Sequence, residues 1–190
     1  MDASKVLQTL NEALPESLLK IYGLTTAQNA NVTSIHDILS KLIDFKTDEL
    51  FVAGKARFSR ELSKTNVKVY TYSFDRGNPF PGPMNGIAHH ALDLEYVFGN
   101  FVEGFPGKKD VNLSLGLIRF WVGFANGKAP WADYTSGKSL YITPEGDLEV
   151  IPREQITSRR WEAYDLIDKN WDIVRKTGDK LMSGELAMLN

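Results

Sequence analysis

The sequence predicts an α/β chain in which helices far outnumber strands. Apolar residues recur at helical spacing near both ends of the 190-residue chain, and only residues 66–74 alternate in the manner of an internal strand. A second β signal spans residues 139–151, where two apolar runs flank Pro144 to Asp147, a run of turn-forming residues. This arrangement leaves the helices with more apolar surface than so few strands can cover.

Composition excludes several classes of protein. Hydrophobic residues make up 43% and charged residues 24%, with a net charge of -2, so the chain has no electrostatic footprint for nucleic acid. Cysteine is absent, which excludes disulfides and thiolate metal sites. No apolar run approaches the ~20 residues that a membrane span requires. We therefore expect no nucleic-acid partner and no membrane span, and composition leaves the localisation unassigned.

The two ends of the chain carry the amphipathic helix signals. Residues 4–22 are predicted to be helical, with Pro15 starting a second helix and Gly23 ending it. The tail from Glu154 onward is predicted to be helical as well. Its apolar stripe repeats at helical spacing and comprises Trp161, Tyr164, Ile167, Trp171 and Val174.

Two further helices are predicted in the middle of the chain. The first spans residues 47–64 and is expected to be capped by Thr47 or Asp48. The second, residues 113–125, is apolar almost all round, which favours a fully buried helix. The apolar stripe of the first helix comprises Leu50, Phe51, Phe58 and Leu62.

The strand signal at residues 66–74 is followed by a run that ends it. Both alternating sets of this segment contain apolar or aromatic residues, which is typical of a strand covered on both faces. The next residues, DRGNPFPGP, include two Gly and three Pro and do not continue a strand. With so little other β structure in the chain, we expect both edges of the strand to be unpaired.

Three segments carry a resemblance to a known family. They read VYTYSFDRGNPF, GIAHHALDLEYVFGN and LSLGLIRFWVGFANGKAPW, and in this order they resemble the C-terminal third of type-B carboxylesterases and cholinesterases. The resemblance is strongest over residues 45–131, and the tail is similar in style to fungal members. It implies that residues 1–190 form a single partial α/β-hydrolase domain, the C-terminal portion of that fold, with mostly helices, one or two central strands and a terminal hairpin.

The resemblance also implies a reaction and exposes what the chain lacks. Members of this family attack esters with a Ser in Gly-x-Ser-x-Gly, and no such pentapeptide occurs here. In the family, the triad acid and the oxyanion loop also precede the matched segments. We therefore expect a C-terminal segment of a serine carboxylic-ester hydrolase that supplies the catalytic His. It would act on an ester substrate only when completed by an upstream N-terminal portion, and no cofactor is expected.

Two adjacent histidines compete for the catalytic role that the resemblance implies. Counting forward from Gly86 in the family's Gly-x-x-His points to His89. Counting back from Asp93 and Tyr96, which lie three and six residues after the catalytic His in the family's spacing, points to His90. We favour His90, because a helical turn has rigid spacing whereas a loop rich in Pro and Gly absorbs an extra residue.

The neighbouring residues then have supporting or structural interpretations. His89 is a loop side chain that packs or bonds locally, and it stays the alternative to His90. Asp93 would brace the loop, because a carboxylate one helical turn from His90 is poorly placed to reach the far nitrogen of its ring. No metal site is expected, since adjacent residues do not easily point at one ion.

The resemblance also suggests a substrate cleft beside the histidines. Phe80, Met84 and Leu92 flank the loop and would line this cleft, while ordinary core packing is an equal alternative for them. Two other classes of protein stay open. One is a non-catalytic interaction domain of the same fold, and the other is an all-helical domain that resembles the family by coincidence.

Overall fold

The computed structural model describes residues 2–183. The chain divides into two compact units, one formed by Met1–Phe58 with Ser158–Asn190 and the other by Ser59–Thr157. The single partial domain over residues 1–190 stays a prediction. The helices are α1 (Ala3–Ala13), α2 (Glu16–Tyr22), α3 (Leu39–Thr47), α4 (Gly54–Ser63), α5 (Leu92–Phe98), α6 (Lys108–Ala125), α7 (Trp161–Lys169) and α8 (Trp171–Ser183); the strands are β1 (Tyr72–Phe74), β2 (Lys138–Ile142) and β3 (Leu148–Pro152).

Local chemistry sets the ends of the first two helices. The Asp2 carboxylate accepts a hydrogen bond from the backbone N–H of Ser4 at 2.9 Å and caps α1. Pro15 precedes α2, and Gly23 ends it with φ 65°, a left-handed conformation that favours glycine. The predicted break at Pro15 and the predicted stop at Gly23 are both confirmed.

The predicted helix start at Thr47 is wrong. The backbone stays helical from α3 through a π-helical segment, Asp48–Ala53, into α4, and no side chain caps that segment. The predicted apolar stripe is also misplaced, because Phe51 and Phe58 are 48% and 66% exposed whereas Asp48 is buried. A π turn is wider than an α turn, so it rotates the faces of the helix away from the 3.6-residue spacing that the prediction assumed.

The first unit surrounds a buried carboxylate. Asp48 accepts hydrogen bonds from the hydroxyl of Tyr22 at 2.9 Å, from that of Tyr164 at 3.3 Å, and from Arg160 Nη1 at 3.2 Å. Burial raises the pKa of the Asp48 carboxyl, and the hydrogen bonds from Tyr22 and Arg160 oppose part of that rise. The apolar core around this group includes Leu10, Leu18, Leu19, Phe45, Ile167 and Val174.

In the second unit, the three strands form one mixed sheet in the order β1-β2-β3. β1 runs parallel to β2, with Ser73 opposite Tyr141, and β2 pairs with β3 as the predicted hairpin. The expectation that both edges of the first strand are unpaired is therefore wrong for the edge that faces β2. The regular strand is also shorter than predicted, because it begins at Tyr72.

Helix α6 covers the sheet with one face. Leu113 and Leu117 are buried there, whereas Leu115, Val122 and Phe124 are exposed. The prediction of a helix buried all round is therefore wrong, and the apolar composition of α6 indicates a second face that residues 2–183 leave exposed. The core between α6, α5 and the sheet includes Leu92, Tyr96, Phe105, Leu113, Leu140 and Ile142. None of the helices in this described range has the length and apolarity needed to cross a membrane.

The buried carboxylate of the first unit gives a test of its packing. Replacing Asp48 by Ala leaves the Tyr22 and Tyr164 hydroxyls and the Arg160 guanidinium without their shared acceptor. We expect this to lower the free energy of unfolding by about 2–4 kcal/mol, measured by urea denaturation. Asp44→Ala is the matched control, because Asp44 binds the same arginine from a half-exposed position and should cost less than about 1 kcal/mol. Equal losses in the two variants would contradict the assignment.

Candidate active site

The loop that follows β1 closes on itself. The backbone N–H of Asn78 donates to the carbonyl of Ile87 at 3.0 Å, and the N–H of Gly86 donates to the carbonyl of Asn78 at 2.8 Å. At Gly77 the two arms approach so closely that a Cβ would lie 2.6 Å from the carbonyl carbon of Gly86. A glycine is therefore required at position 77, and the closure brings the following histidines back beside the base of the loop.

An ion pair anchors the base of this loop to α6. Arg76 donates to both carboxylate oxygens of Asp110, at 2.8 and 2.9 Å, and to the carbonyl of Pro144 at 3.0 Å. The hydroxyl of Tyr96 donates to the same carboxylate at 2.8 Å. Burial by itself would raise the pKa of Asp110, but the hydrogen bonds from Arg76 and Tyr96 outweigh it, so the pKa lies below its usual range.

Both ring nitrogens of His89 have partners within the loop. Nε2 lies 3.2 Å from the side-chain nitrogen of Asn78, and Nδ1 lies 3.0 Å from the main-chain carbonyl of His90. An amide nitrogen only donates and a carbonyl only accepts, so the neutral ring must carry its proton on Nδ1. His89 is half-buried and is held in one orientation by these two contacts.

His90 occupies the turn that leads into α5. Its side chain is exposed, and the next residue, Ala91, has φ 67° and ψ 2° at the N-cap of the helix. Within residues 2–183, Ala91 is the one non-glycine residue with a positive φ. Such a conformation costs an alanine about 1–2 kcal/mol, and strained backbone of this kind is concentrated at functional sites.

Asp93 lies in the first turn of α5 and contacts the sheet. The hydroxyl of Tyr72 in β1 donates to its carboxylate at 2.6 Å. Burial raises the pKa of the Tyr72 phenol, and the bond to Asp93 adds to that rise. The carboxylate thus connects the start of α5 to the strand that carries the loop.

The three residues expected to line a cleft lie in different environments. Leu92 is buried in the apolar core, whereas Met84 is 42% exposed. Phe80 stacks on Phe105 with ring centroids 5.4 Å apart and also contacts the ring of Phe101. Their role in a cleft stays a prediction.

Sequence patterns did not indicate several residues that organise the site. Arg76, Asn78 and Asp110 hold the loop, yet the partners Arg76 and Asp110 lie 34 positions apart. The run of Gly and Pro after β1 predicted that the strand ends there, but it did not indicate that the two arms of the loop contact each other. Across residues 2–183, no three His, Asp or Glu side chains come together as a potential metal site.

A mostly helical structure with one small three-stranded mixed sheet fits a C-terminal portion of the α/β-hydrolase class. The sequence model of the Carboxylesterase family matches residues 2–177, so the chain belongs to the carboxylesterase family. The predicted family and fold class are confirmed, whereas nothing supports the resemblance to fungal members.

A similar protein with a curated description comes from cattle. Carboxylesterase 4A of Bos taurus is 26% identical over 125 residues, which cover 60% of this chain and 23% of the bovine protein. The chain thus spans about a quarter of the length of the curated relative that it matches.

The closed loop gives a test at a single position. In Gly77→Ala the added Cβ meets the backbone of Gly86, which has no flexible end to move away, so we expect a loss of about 1–3 kcal/mol in the free energy of unfolding. Gly104→Ala is the matched control, because its Cβ would meet ordinary contacts of 3.6 Å or more and should change stability by less than about 1 kcal/mol. Two equally stable variants would contradict the closure.

The Asp110 carboxylate gives a test by pH. The pKa of Asp110 is lower in the folded chain than in the unfolded chain, so the unfolded chain binds more protons in acid. The carboxylate therefore stabilises the fold above its unfolded pKa of about 4. This stabilisation is lost as the pH falls through the folded pKa. Asp110→Asn removes this contribution. We expect the difference in unfolding free energy between the original chain and the variant to be larger at pH 7 than at pH 3. Asp147→Asn, at an exposed pair with Lys109, should show a small difference at both values, and a constant difference for Asp110→Asn would contradict the assignment.

Proposed function

We propose that the chain supplies the general base, His90, of a serine carboxylic-ester hydrolase. The observation that carries the proposal is the engagement of both His89 ring nitrogens inside the loop. A general base must present one ring nitrogen to the reacting hydroxyl and the other to a carboxylate. His89 would have to give up both contacts to do so. His90 is exposed and lies in the turn that leads into α5.

The reaction is acyl transfer from an ester to water. A serine hydroxyl attacks the ester carbonyl while His90 accepts its proton, and the imidazolium then returns that proton to the departing alcohol. Backbone N–H groups stabilise the oxyanion. Water, activated by the same imidazole, releases the acid and restores the serine.

The remaining groups of this site come from another portion of polypeptide. The chain contains no Gly-x-Ser-x-Gly and spans about 23% of the bovine relative. Asp93 is bound to Tyr72 in β1, which suits a bracing role, so the carboxylate that orients His90 is also supplied from elsewhere. On this proposal the chain alone has almost no esterase activity, and an upstream N-terminal portion carrying the serine restores it.

The test compares the two histidines in a complementation assay. The chain is co-expressed with the polypeptide encoded immediately upstream, and hydrolysis of p-nitrophenyl acetate is measured. We expect His90→Gln to lower kcat by about a thousandfold or more, because the proton acceptor is lost. His89→Gln is the matched control and should retain activity within about a hundredfold of the original chain.

Three outcomes would overturn the proposal. One is full activity in His90→Gln together with loss of activity in His89→Gln. Another is esterase turnover by the purified chain alone that depends on His90. The third is an upstream frame without a serine elbow, which would favour a non-catalytic interaction domain of the same fold.

A further inference from the structure

We infer that Asn78 is a positioning residue that acts on His90 through the ring of His89. The inference rests on the proposed function, since it concerns how the general base is held. Asn78 lies at the closure of the loop, and His89 bridges it to the main chain of His90. The sequence motifs around the histidines do not include Asn78, which precedes His89 by 11 residues.

The orientation of the Asn78 amide follows from its neighbours. Its side-chain oxygen accepts the backbone N–H of Phe80 at 2.9 Å. An amide flip would place an N–H group against that donor, so the oxygen stays on the Phe80 side. The amide nitrogen is thereby directed at His89 Nε2, which accepts its hydrogen bond.

This fixed amide determines the tautomer of His89 and so the bond to His90. With Nε2 used as an acceptor, the neutral ring keeps its proton on Nδ1 and donates it to the carbonyl of His90. The peptide that follows His90 is therefore restrained just before Ala91 turns into the left-handed conformation. Since displacement of a catalytic group by about 1 Å costs up to a hundredfold in rate, restraining this peptide restrains the position of the His90 ring.

Asn78→Asp separates this role from loop closure. The new carboxylate still accepts the Phe80 N–H, and the backbone bonds of residue 78 are unchanged. A carboxylate does not donate, so in the neutral ring Nε2 must carry the proton and Nδ1 then faces the His90 carbonyl with a lone pair. The hydrogen bond to His90 is lost while the closed loop is retained.

Asn85→Asp is the matched control. The Asn85 amide donates to the carbonyls of Asn78 and Phe80, at 3.2 and 3.1 Å, and the loss of these bonds weakens the closure without contacting His89. A merely structural role for Asn78 predicts that the two variants behave alike. A positioning role predicts that they differ.

The experiment reads the tautomer and the rate separately. The tautomer is read by ¹⁵N NMR of the imidazoles, recorded on the purified chain near pH 8. In the original chain and in Asn85→Asp, His89 should carry its proton on Nδ1. In Asn78→Asp, the proton should lie on Nε2. In the complementation assay, Asn78→Asp should lower kcat by about tenfold to a hundredfold with little change in KM, whereas Asn85→Asp should leave kcat within about threefold.

Two results would overturn the inference. One is a His89 proton on Nε2 in the original chain, and the other is an equal kcat in the two Asn variants. Either result leaves His90 as the general base if His90→Gln still abolishes turnover. Failure of the proposed function would instead show as activity that does not depend on His90, whatever the tautomer of His89.

Discussion

The close approach of Gly77 and Gly86 is the constraint on which the candidate site depends. Once these two backbones are in contact, the hydrogen bonds between Asn78 and the returning arm, at Gly86 and Ile87, can form, and the chain that left the sheet at β1 returns beside it. The histidine pair then leads into α5, whose first turn is bound to the same strand through Asp93 and Tyr72. The strand, the loop and the helix thus hold the histidine pair largely through contacts between residues that are distant in sequence.

In each unit, one buried carboxylate accepts hydrogen bonds from several elements. In the first unit, Asp48 gathers two tyrosine hydroxyls and an arginine around one carboxylate. In the second, Asp110 joins α6 to the loop base through Arg76 and to α5 through Tyr96. Because each carboxylate has several donors, the cost of burying it is offset by hydrogen bonds, and these bonds join separate elements of the chain.

Residues that act on their immediate neighbours were predictable. Pro15, Gly23 and the turn at Pro144 to Asp147 specify local backbone, and the elements they bound agree with the prediction. The π-helical segment was not predictable. The prediction placed Phe51 and Phe58 on one apolar face because it assumed an uninterrupted α-helix. The burial of α6 was overestimated, since composition does not show which apolar face has a neighbour. At the site, the spacing before Asp93 favours His90 over His89, which stays a prediction. The link from Asn78 to His89 depends on a loop closure that no periodicity encodes.

The left-handed backbone at Ala91 limits which substitutions the turn beside His90 can accept. Glycine, asparagine and aspartate enter this conformation readily, whereas valine, isoleucine and threonine suffer a clash between their branched side chain and the main chain. In a library randomised at position 91 and sorted for folded protein, the first group should therefore be enriched and the second depleted. That enrichment would map the backbone geometry next to the imidazole without any measurement of catalysis.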